Sequence, residues 1–337
     1  MSKNSEKLLK LGMIAKKILE NNKGILAADE SPTSIQKRFD KVGITNSEDT
    51  RRKFRQMLFS SKGIEKYIGG VILHEETFDQ KDEKGNCLID LLKNKEICLG
   101  IKLDKGLIDF KTNEKVSVGL EDLHLRIKKF ASKGAVFAKW RSLFLIAEDI
   151  PSEECIIENC NVLAEYAKIC QDNELVPIVE PEIYLEGLYS IEDGEKHSKR
   201  VLSTLIQRLN AYDVYIPGVL IKMSFVTQGK QEKLLCKPKE VGIRTIGVLI
   251  STIPCGIPGV VFLSGGHTQD KAIEYLDTLN RCRAHKTWSL SFSYGRCLSE
   301  EPMSIWKGKD ENLNEAQEAF IKIAEKCYNA SKGELNK

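Results

Sequence analysis

Short apolar runs recur along the chain and alternate with segments of helical periodicity. The runs are apolar on both faces and commonly bounded by glycine, which is typical of strands in a parallel sheet covered on both sides. They lie at Gly24–Ala28, Gly70–Leu73, Ile97–Leu103, Ala135–Ala138, Leu175–Val179, Gly218–Ile221, Val260–Leu263 and Trp288–Phe292. Between them, apolar residues recur at intervals of three and four, as in amphipathic helices. Examples are Asn161–Cys170, His197–Leu209 and Lys271–Leu279.

Eight strand–helix units in a chain of 337 residues predict an α/β fold, a closed (β/α)8 TIM barrel built as a single domain. An open doubly wound sheet is the alternative, because periodicity does not show closure. Two features favour the barrel: no Gly-x-Gly-x-x-Gly loop follows the first run, and polar residues recur at the end of nearly every run. The pattern also predicts an N-terminal helix over residues 5–20 and a last helix over 311–330.

Composition excludes several classes of function. Lys+Arg 51 against Asp+Glu 48 leaves a net charge of +3, too small to indicate binding to nucleic acid. No apolar stretch approaches the roughly 18–20 residues that span a bilayer, and the N-terminus lacks a signal-peptide core, so we expect a cytoplasmic protein that does not insert into membranes. The cysteines form no Cys-x-x-Cys pair and the histidines are scattered, which predicts reduced thiols and chemistry without a metal or other cofactor.

The carboxyl ends of the predicted strands carry charged residues, among them two lysines. In a barrel these ends meet at one mouth, so residues far apart in sequence become neighbours. Lys222 follows the sixth run and Lys139 the fourth. A lysine that loses its proton, through burial or beside another cation, is a candidate amine nucleophile for a carbonyl substrate. Either lysine fits the nucleophile, with the other as the neighbouring cation.

Carboxylates at the same strand ends can supply the proton transfers that such chemistry needs. Dehydration of a carbinolamine requires an acid, and Glu180 or Glu182 is suited to this role if neighbouring groups raise its pKa. Cleavage of the adjacent carbon–carbon bond requires a base on a hydroxyl group, for which Asp29 is available.

Two groups of residues predict phosphate binding on either side of the lysines. Glycine lets backbone N–H groups approach an anion, and arginine adds a bidentate contact. The first group follows the seventh and eighth strands, where barrels commonly bind phosphate: Ser264, Gly265, Ser293, Gly295 and Arg296. The other candidate substrate ligands are Ser31, Ser34, Arg38, Lys102 and Arg141. Two anion sites beside an amine predict a phosphorylated carbonyl substrate, such as a bisphosphate.

Five motifs of the chain resemble those of class I fructose-bisphosphate aldolase and occur in that family's order. They are Gly24–Ser31, Phe137–Arg141, Val176–Glu182, Phe262–Gly266 and Phe292–Arg296. The resemblance extends from Lys7 to Ala330. It implies a (β/α)8 barrel that forms a homotetramer and works without a metal. The implied activity is the reversible cleavage of fructose 1,6-bisphosphate to dihydroxyacetone phosphate and glyceraldehyde 3-phosphate, in glycolysis and gluconeogenesis.

The same resemblance implies a role for each site residue. Lys222 would be the Schiff-base lysine, and Glu180 the acid and base for formation and hydrolysis of the Schiff base. Asp29 would take the proton of the C4 hydroxyl group, while Lys139 assists. The implied phosphate ligands are Arg296, Ser264 and Gly265 for one group, and Ser34 and Lys102 for the other.

Two alternatives stay open beside this activity. One keeps the Schiff base and changes the sugar phosphate, for instance to fructose 1-phosphate or sedoheptulose 1,7-bisphosphate. The other belongs to a different class: a scaffold that binds cytoskeletal partners or adhesin tails, with weak catalysis. It rests on the fact that a basic groove able to bind an acidic tail uses the residues that bind phosphate.

The chain departs from the family's pattern at two places. The family usually follows its lysine with Pro-Asn-Met, whereas Lys222 precedes Met223–Phe225, so we expect the rate or the loop mobility to differ there. The family's flexible tail ending in tyrosine is expected to be missing, because the sequence ends at Lys332–Lys337. That tyrosine aids proton exchange on the enamine, so we expect a handicap or a substitute acid–base at that step.

Overall fold

The computed structural model describes residues 3–335; Met1 and Ser2 lie outside the described residues, as do Asn336 and Lys337 at the end of the predicted tail. Eight strands close into a barrel in the order β1-β2-β3-β6-β7-β8-β9-β10, and every neighbouring pair is parallel. The strands are β1 Gly24–Ala28, β2 Ile68–Leu73, β3 Cys98–Lys102, β4 Leu107–Lys111, β5 Glu114–Ser117, β6 Ala135–Phe144, β7 Val176–Ile183, β8 Leu220–Met223, β9 Gly259–Phe262 and β10 Ser289–Tyr294. The predicted single-domain (β/α)8 barrel is confirmed, and the open sheet is wrong.

Helices surround the barrel and connect its strands. They are α1 Lys3–Ile18, α2 Pro32–Lys41, α3 Glu48–Ser60, α4 Leu88–Lys93, α5 Leu123–Ala131, α6 Glu153–Asp172, α7 Ile191–Ala211, α8 Pro238–Thr252, α9 Gln269–Arg281, α10 Arg296–Trp306 and α11 Leu313–Ser331. Several begin at a side-chain cap: the hydroxyl oxygens of Ser31, Ser152 and Thr268 each accept a hydrogen bond from a backbone N–H in the first turn. The three helical segments predicted from periodicity lie inside α6, α7 and α9.

Four strands, β6, β7, β8 and β10, continue past the ends of their predicted apolar runs, and β6 and β7 do so furthest. β6 continues to Phe144 and β7 to Ile183, and the two stay paired through Arg141 with Glu180 and Leu143 with Glu182. Their charged residues therefore lie within strands instead of after them. Because side chains alternate between the two faces of a strand, charged residues two positions apart project from the same face.

The N-terminal end of the barrel is closed by α1. Leu11, Ala15 and Ile18 of this helix pack against barrel residues such as Ile25 and Phe137 in one buried cluster. A larger apolar cluster fills the layer between the strands and the surrounding helices. The C-terminal end, opposite α1, is the end left open to carry a site.

One element has no counterpart in the predicted pattern: the antiparallel hairpin of β4 and β5, which lies between β3 and α5. Most of β4 is exposed, so no apolar run marks it. Among the described residues all ten cysteines are free thiols and most are buried, as expected. No helix within residues 3–335 is long and apolar enough to cross a membrane.

Candidate active site

A cavity of about 810 Å³ opens at the C-terminal ends of the barrel strands. This volume suits a small phosphorylated substrate. The predicted site residues that line the cavity are Asp29, Ser31, Ser34, Lys102, Lys139, Arg141, Glu180, Glu182, Lys222, Ser264, Gly265, Ser293, Gly295 and Arg296. Residues from seven of the eight strand ends thus converge on one mouth, as the strand-end pattern predicts.

Four buried charges form a connected network at the bottom of this cavity. The Nζ atom of Lys139 lies 2.8 Å from Asp29 Oδ2 and 3.2 Å from Glu180 Oε2. The Nζ atom of Lys222 lies 3.2 Å from the other oxygen of Glu180, Oε1. Glu180 therefore bridges the two lysines. Each of the four residues has less than a tenth of its surface exposed.

The network determines the charge of its members. Burial alone would lower the pKa of Lys139, but the carboxylates of Asp29 and Glu180 outweigh it and raise that pKa well above its usual value. Burial would raise the pKa of Asp29, yet Lys139 and Lys222 hold it at about 2. The pKa of Glu180 is likewise lowered, because both lysines and Arg141 outweigh its burial. The neighbouring groups of Glu180 therefore lower its pKa and do not raise it, so the condition set for an acid role is not met by these groups.

Arg141 and Glu182 form a second ion pair at the rim of the network, between Nε of the arginine and Oε2 of the carboxylate. Burial opposes the charge of Arg141, but Glu182 raises the pKa of its guanidinium. The pair faces the cavity because Arg141 lies two residues after Lys139 in β6, and Glu182 two residues after Glu180 in β7.

One side of the mouth presents backbone N–H and hydroxyl groups. Ser264 and Gly265 begin the turn after β9, and Arg296 begins α10, whose N-terminus favours an anion. The Oγ atom of Ser293 is buried without a hydrogen-bond partner. An orphaned hydroxyl group beside a helix N-terminus and an arginine can bind a phosphate oxygen.

The opposite side of the mouth is built from α2 and β3. Ser31 caps α2, and its Oγ atom lies 3.0 Å from that of Ser34. The Nζ atom of Lys102 donates to both the backbone oxygen and Oδ1 of Asp104, each at 2.7 Å. These hydroxyl and ammonium groups can bind a second anion.

Arg38 is the exception among the predicted ligands, because it does not line the cavity. Its Nη1 atom pairs with Glu30 Oε2 at 2.5 Å, and its Nη2 atom donates to Ser299 Oγ at 3.0 Å. Ser299 Oγ in turn donates to the carbonyl oxygen of Gly295 at 2.8 Å. Arg38 thus connects two segments behind the mouth instead of contacting its interior.

The cavity also includes residues outside the predicted set. These are chiefly Glu30, Thr33, His74, Glu75, Asp104, Lys105 and Arg126. His74 directly follows β2, so the strand-end rule that found the others could have found it as well. Arg126 comes from α5, and its Nη1 atom donates to the backbone oxygen of Leu103 at 2.6 Å; no strand-end signal marks it. Within residues 3–335, no three or more His, Cys, Asp or Glu side chains cluster as metal ligands would.

A parallel (β/α)8 barrel with two buried lysines bridged by a carboxylate, and with anion-binding groups on both sides, defines an enzyme for a phosphorylated carbonyl substrate. The model of the family described as glycolytic, class-I fructose-bisphosphate aldolase, matches residues 10–337. The fructose-bisphosphate aldolase of Encephalitozoon cuniculi is 57% identical over 97% of each chain. Mouse fructose-bisphosphate aldolase B is 42% identical over 98% of this chain and 91% of its own.

A solved structure gives the same result. Fructose-bisphosphate aldolase from Plasmodium falciparum, crystallised in complex with TRAP and a small molecule inhibitor, superposes with a TM-score of 0.97 at 40% identity, over 99% of this chain and 97% of that one. The chain belongs to the class-I fructose-bisphosphate aldolase family. It is a lyase that cleaves fructose 1,6-bisphosphate, and this cleavage is a reaction of glycolysis.

Proposed function

We propose that Lys222 is the amine that forms the Schiff base with the carbonyl carbon of fructose 1,6-bisphosphate, while Lys139 stays a fixed cation. The observation that carries this assignment is the asymmetry of the two lysines around Glu180. Lys139 has two carboxylates within 3.2 Å, which raise its pKa. Among residues 3–335, Lys222 pairs with Glu180 alone. A protonated amine cannot attack, so the lysine held by fewer carboxylates is the better nucleophile.

Glu180 carries the protons of Schiff-base formation in this proposal. As a carboxylate it accepts a proton from the ammonium group of Lys222, which frees the lone pair for attack on the carbonyl carbon. After the attack, an N–H proton moves from the nitrogen to the former carbonyl oxygen, which gives the carbinolamine, and Glu180 then returns its own proton to the carbinolamine hydroxyl group. The carbon–oxygen bond breaks, water leaves and an iminium ion forms. Lys139 and Lys222 lower the pKa of Glu180 most, and Arg141, which Glu182 holds nearby, adds to this effect, so the Glu180 carboxyl group is ionised before it accepts that proton.

Asp29 is the proposed base for carbon–carbon cleavage. Its pKa of about 2 keeps it ionised at neutral pH, ready to accept the proton of the C4 hydroxyl group. The C3–C4 bond then breaks, its electron pair moves into the iminium to give an enamine, and glyceraldehyde 3-phosphate leaves. The enamine takes a proton at C3, and water hydrolyses the resulting iminium to release dihydroxyacetone phosphate and Lys222.

The two phosphates are proposed to bind on opposite sides of Lys222. One meets Arg296, the Ser264–Gly265 backbone, Ser293 and Gly295; the other meets Ser31, Ser34 and Lys102. Support comes from their convergence on one cavity and from the helix N-terminus at Arg296. Arg38 is proposed to support these groups from behind the cavity, through Glu30 and Ser299.

Borohydride trapping with dihydroxyacetone phosphate, followed by peptide mapping, tests the nucleophile. We expect one stable adduct, on Lys222, and none in the Lys222→Met variant. Lys102→Met is the matched control: it removes another lysine of the mouth and should still be labelled at Lys222. An adduct on Lys139, or no adduct on the wild-type protein, would contradict the assignment.

Substrate choice is tested by comparing fructose 1,6-bisphosphate with fructose 1-phosphate and with sedoheptulose 1,7-bisphosphate. If Ser34 and Lys102 bind the second phosphate, Lys102→Met should reduce kcat/KM for the bisphosphates by more than tenfold while changing that for the monophosphate little, since a charged hydrogen bond contributes about 1.5–3 kcal/mol. Equal losses on all three substrates would argue against this assignment.

Assembly and location are further parts of the proposal: a homotetramer in the cytosol. Support for assembly comes from Ile243 and Ile250, which leave about half of their surfaces exposed on one face of α8. Light scattering after size-exclusion chromatography should give four times the mass of the chain, and cell fractionation should place the enzyme in the cytosolic fraction.

Partner binding is a second candidate function, because the Plasmodium falciparum relative was crystallised in complex with TRAP. Basic side chains at the mouth of this chain, such as Lys102, Lys105 and Arg126, suit an acidic peptide tail. We expect a fluorescent acidic-tail peptide to bind and to be displaced by fructose 1,6-bisphosphate. Binding that the sugar phosphate does not displace would exclude the mouth as its site.

A further inference from the structure

The turn Ser264–His267, which follows β9, lies at the mouth of the cavity and contains two adjacent glycines. Its closing hydrogen bond runs from the backbone N–H of His267 to the oxygen of Ser264, at 2.9 Å. Gly265 and Gly266 have φ angles of +55° and +94°, in the region that favours glycine. Ser264 and Gly265 line the mouth, whereas Gly266 is exposed. Two adjacent glycines can adopt many conformations, so the orientation of the turn depends on what holds its ends.

Four aromatic rings connect the end of this turn to the barrel. The ring of His267 packs edge-to-face on Tyr275 of α9, with centroids 5.3 Å apart at 87°. Tyr275 packs against Phe225 at 5.6 Å and 68°. Phe225 stacks on Phe262 at 4.6 Å and 7°. Phe262 ends β9, the strand from which the turn begins, so the four rings connect both ends of the turn to one packed unit.

The same rings hold the segment that follows Lys222. Phe225 belongs to that segment, and the hydroxyl group of Ser224 beside it donates to the backbone oxygen of Ile183 at 2.8 Å. Only about 10 Å³ of space remains between these loops, in a cavity lined in part by Ser224, Phe225 and His267. This is the place where the sequence departs from the Pro-Asn-Met pattern, and the nucleophile segment and the phosphate turn here share one aromatic cluster.

His267 contributes to this cluster as a neutral ring. Burial, with the nearby ammonium group of Lys271, lowers the pKa of His267 to about 4, so the imidazole is uncharged at neutral pH. Its side chain is not among those that line the mouth. The contact that His267 makes with the rest of the site is the packing of its ring on Tyr275.

We propose that His267 is a positioning residue for phosphate binding. Its ring, packed on Tyr275, holds the Ser264–Gly266 turn in one conformation, so the turn's N–H groups and the Ser264 hydroxyl group are oriented for the phosphate before it binds. Without the ring the turn adopts other conformations, and phosphate binding has to restrict them. The loss of conformational entropy therefore weakens substrate binding and raises KM, while the chemistry at Lys222, and with it kcat, is unchanged. This proposal rests on the phosphate role proposed above for Ser264 and Gly265.

The test is steady-state kinetics of His267→Ala with fructose 1,6-bisphosphate, together with inhibition by inorganic phosphate. The substitution keeps the backbone hydrogen bond of the turn and removes the ring. We expect KM and the inhibition constant for phosphate to rise together, by about three- to tenfold, the range for loss of one aromatic pair. We expect kcat to stay within about twofold of wild type.

Two further variants separate the ring from other properties of the side chain. His267→Phe keeps an aromatic ring and should restore KM to within about twofold of wild type. His267→Gln keeps a polar side chain without a ring and should behave as His267→Ala. His285→Ala, which removes an exposed histidine, is the matched control and should change neither constant.

The outcomes distinguish this proposal from the one on which it rests. Ser264→Ala should raise KM if the turn binds phosphate at all. If Ser264→Ala raises KM while His267→Ala does not, the positioning role is wrong and the phosphate site stands. If neither raises KM, the phosphate assignment itself is overturned, and the positioning role with it. A Phe variant as impaired as the Ala variant would also overturn the role of the ring.

Discussion

At the residue scale, the site is a balance of two buried lysines against two buried carboxylates. Each of these charges would be costly to bury alone, and each is stabilised by the others. Lys139 is the lysine that pairs with both carboxylates, Asp29 and Glu180. Its removal leaves two buried carboxylates that compete for Lys222 alone.

Lys139→Met is therefore expected to lower the free energy of unfolding at pH 7 by about 3–5 kcal/mol, because it leaves buried carboxylates without their cation. Loss of the fixed cation should also reduce kcat by at least about 100-fold, the usual scale for disrupted acid–base catalysis, because Asp29 and Glu180, the proposed acid–base groups, lose the cation that holds them. Urea denaturation and steady-state kinetics measure the two effects.

The difference in unfolding free energy between wild type and Lys139→Met should depend on pH, and the pKa of Asp29 gives the direction of this dependence. The folded-state pKa of Asp29, about 2, lies below its ordinary value of 3.8. The stabilisation it contributes is therefore present above about pH 4 and is lost as the pH falls towards 2. The difference in unfolding free energy between wild type and Lys139→Met should be largest at neutral pH and shrink below pH 4. The exposed Lys326→Met is the control and should match wild type throughout; a difference independent of pH would contradict the electrostatic explanation.

At the scale of elements, the buried carboxylate of Glu114 attaches the β4–β5 hairpin to α6, beside the hydrogen bonds that Ser117 and Lys115 accept from Trp140 and Asn159. Glu114 of β5 accepts hydrogen bonds from the backbone N–H of Ser152 at 2.7 Å and from its hydroxyl group at 2.8 Å. Ser152 is the N-cap of α6, so the negative charge also lies at the positive end of a helix. Because Leu107 of the hairpin lines the mouth, this attachment holds one wall of the cavity.

Glu114→Ala is expected to lower the free energy of unfolding by about 2 kcal/mol, since two donors at the start of α6 lose their charged acceptor. The hairpin should also open more often, which hydrogen exchange of the β4–β5 amides would detect. Glu154→Gln removes a nearby exposed carboxylate that pairs with Lys111 at 3.4 Å, and it should leave both measurements unchanged. Equal effects of the two substitutions would show that the buried attachment has no special role.

At the scale of the whole molecule, closure of the barrel and docking of α1 depend on residues without side chains. A Cβ atom on Gly69 in β2 would lie 2.1 Å from the backbone oxygen of Ile18, at the end of α1. Backbone cannot move aside as a flexible side chain can. Gly69 therefore permits the helix to approach the strand closely and to close the N-terminal end of the barrel.

Gly69→Ala is expected to destabilise the protein by about 3 kcal/mol, the upper end of the cost of overpacking, because α1 must shift away from β2. Gly12→Ala is the matched control. Gly12 lies in the same helix α1, and a Cβ atom there would come no closer than 3.5 Å to its nearest neighbour, the backbone oxygen of Pro217. It should stabilise the protein by about 0.5–1 kcal/mol through helix propensity. Thermal unfolding measures both, and a destabilising effect of the same size at Gly12 would contradict the steric explanation.

The amino-acid sequence by itself determined the barrel and most of the residues at its mouth. Strands covered on both faces must be apolar throughout, and the helices that cover them must be amphipathic. The alternation of strands and helices is therefore visible in short segments of the sequence. Parallel strands share one C-terminal edge, and for this reason Lys222, Glu180 and Arg296 could be assigned to one site before any contact was known.

Only the tertiary structure decided which charge meets which partner. Lys139 and Lys222 look equivalent as strand ends, and their difference appears only when Asp29 and Glu180 lie beside them at measured distances. Arg38 fits an anion ligand in sequence, yet packing turns it towards Glu30 and Ser299. The exposed β4–β5 hairpin contains no apolar run from which the sequence could predict it. In each case the outcome depends on strand register and long-range packing, which no local pattern of residues encodes.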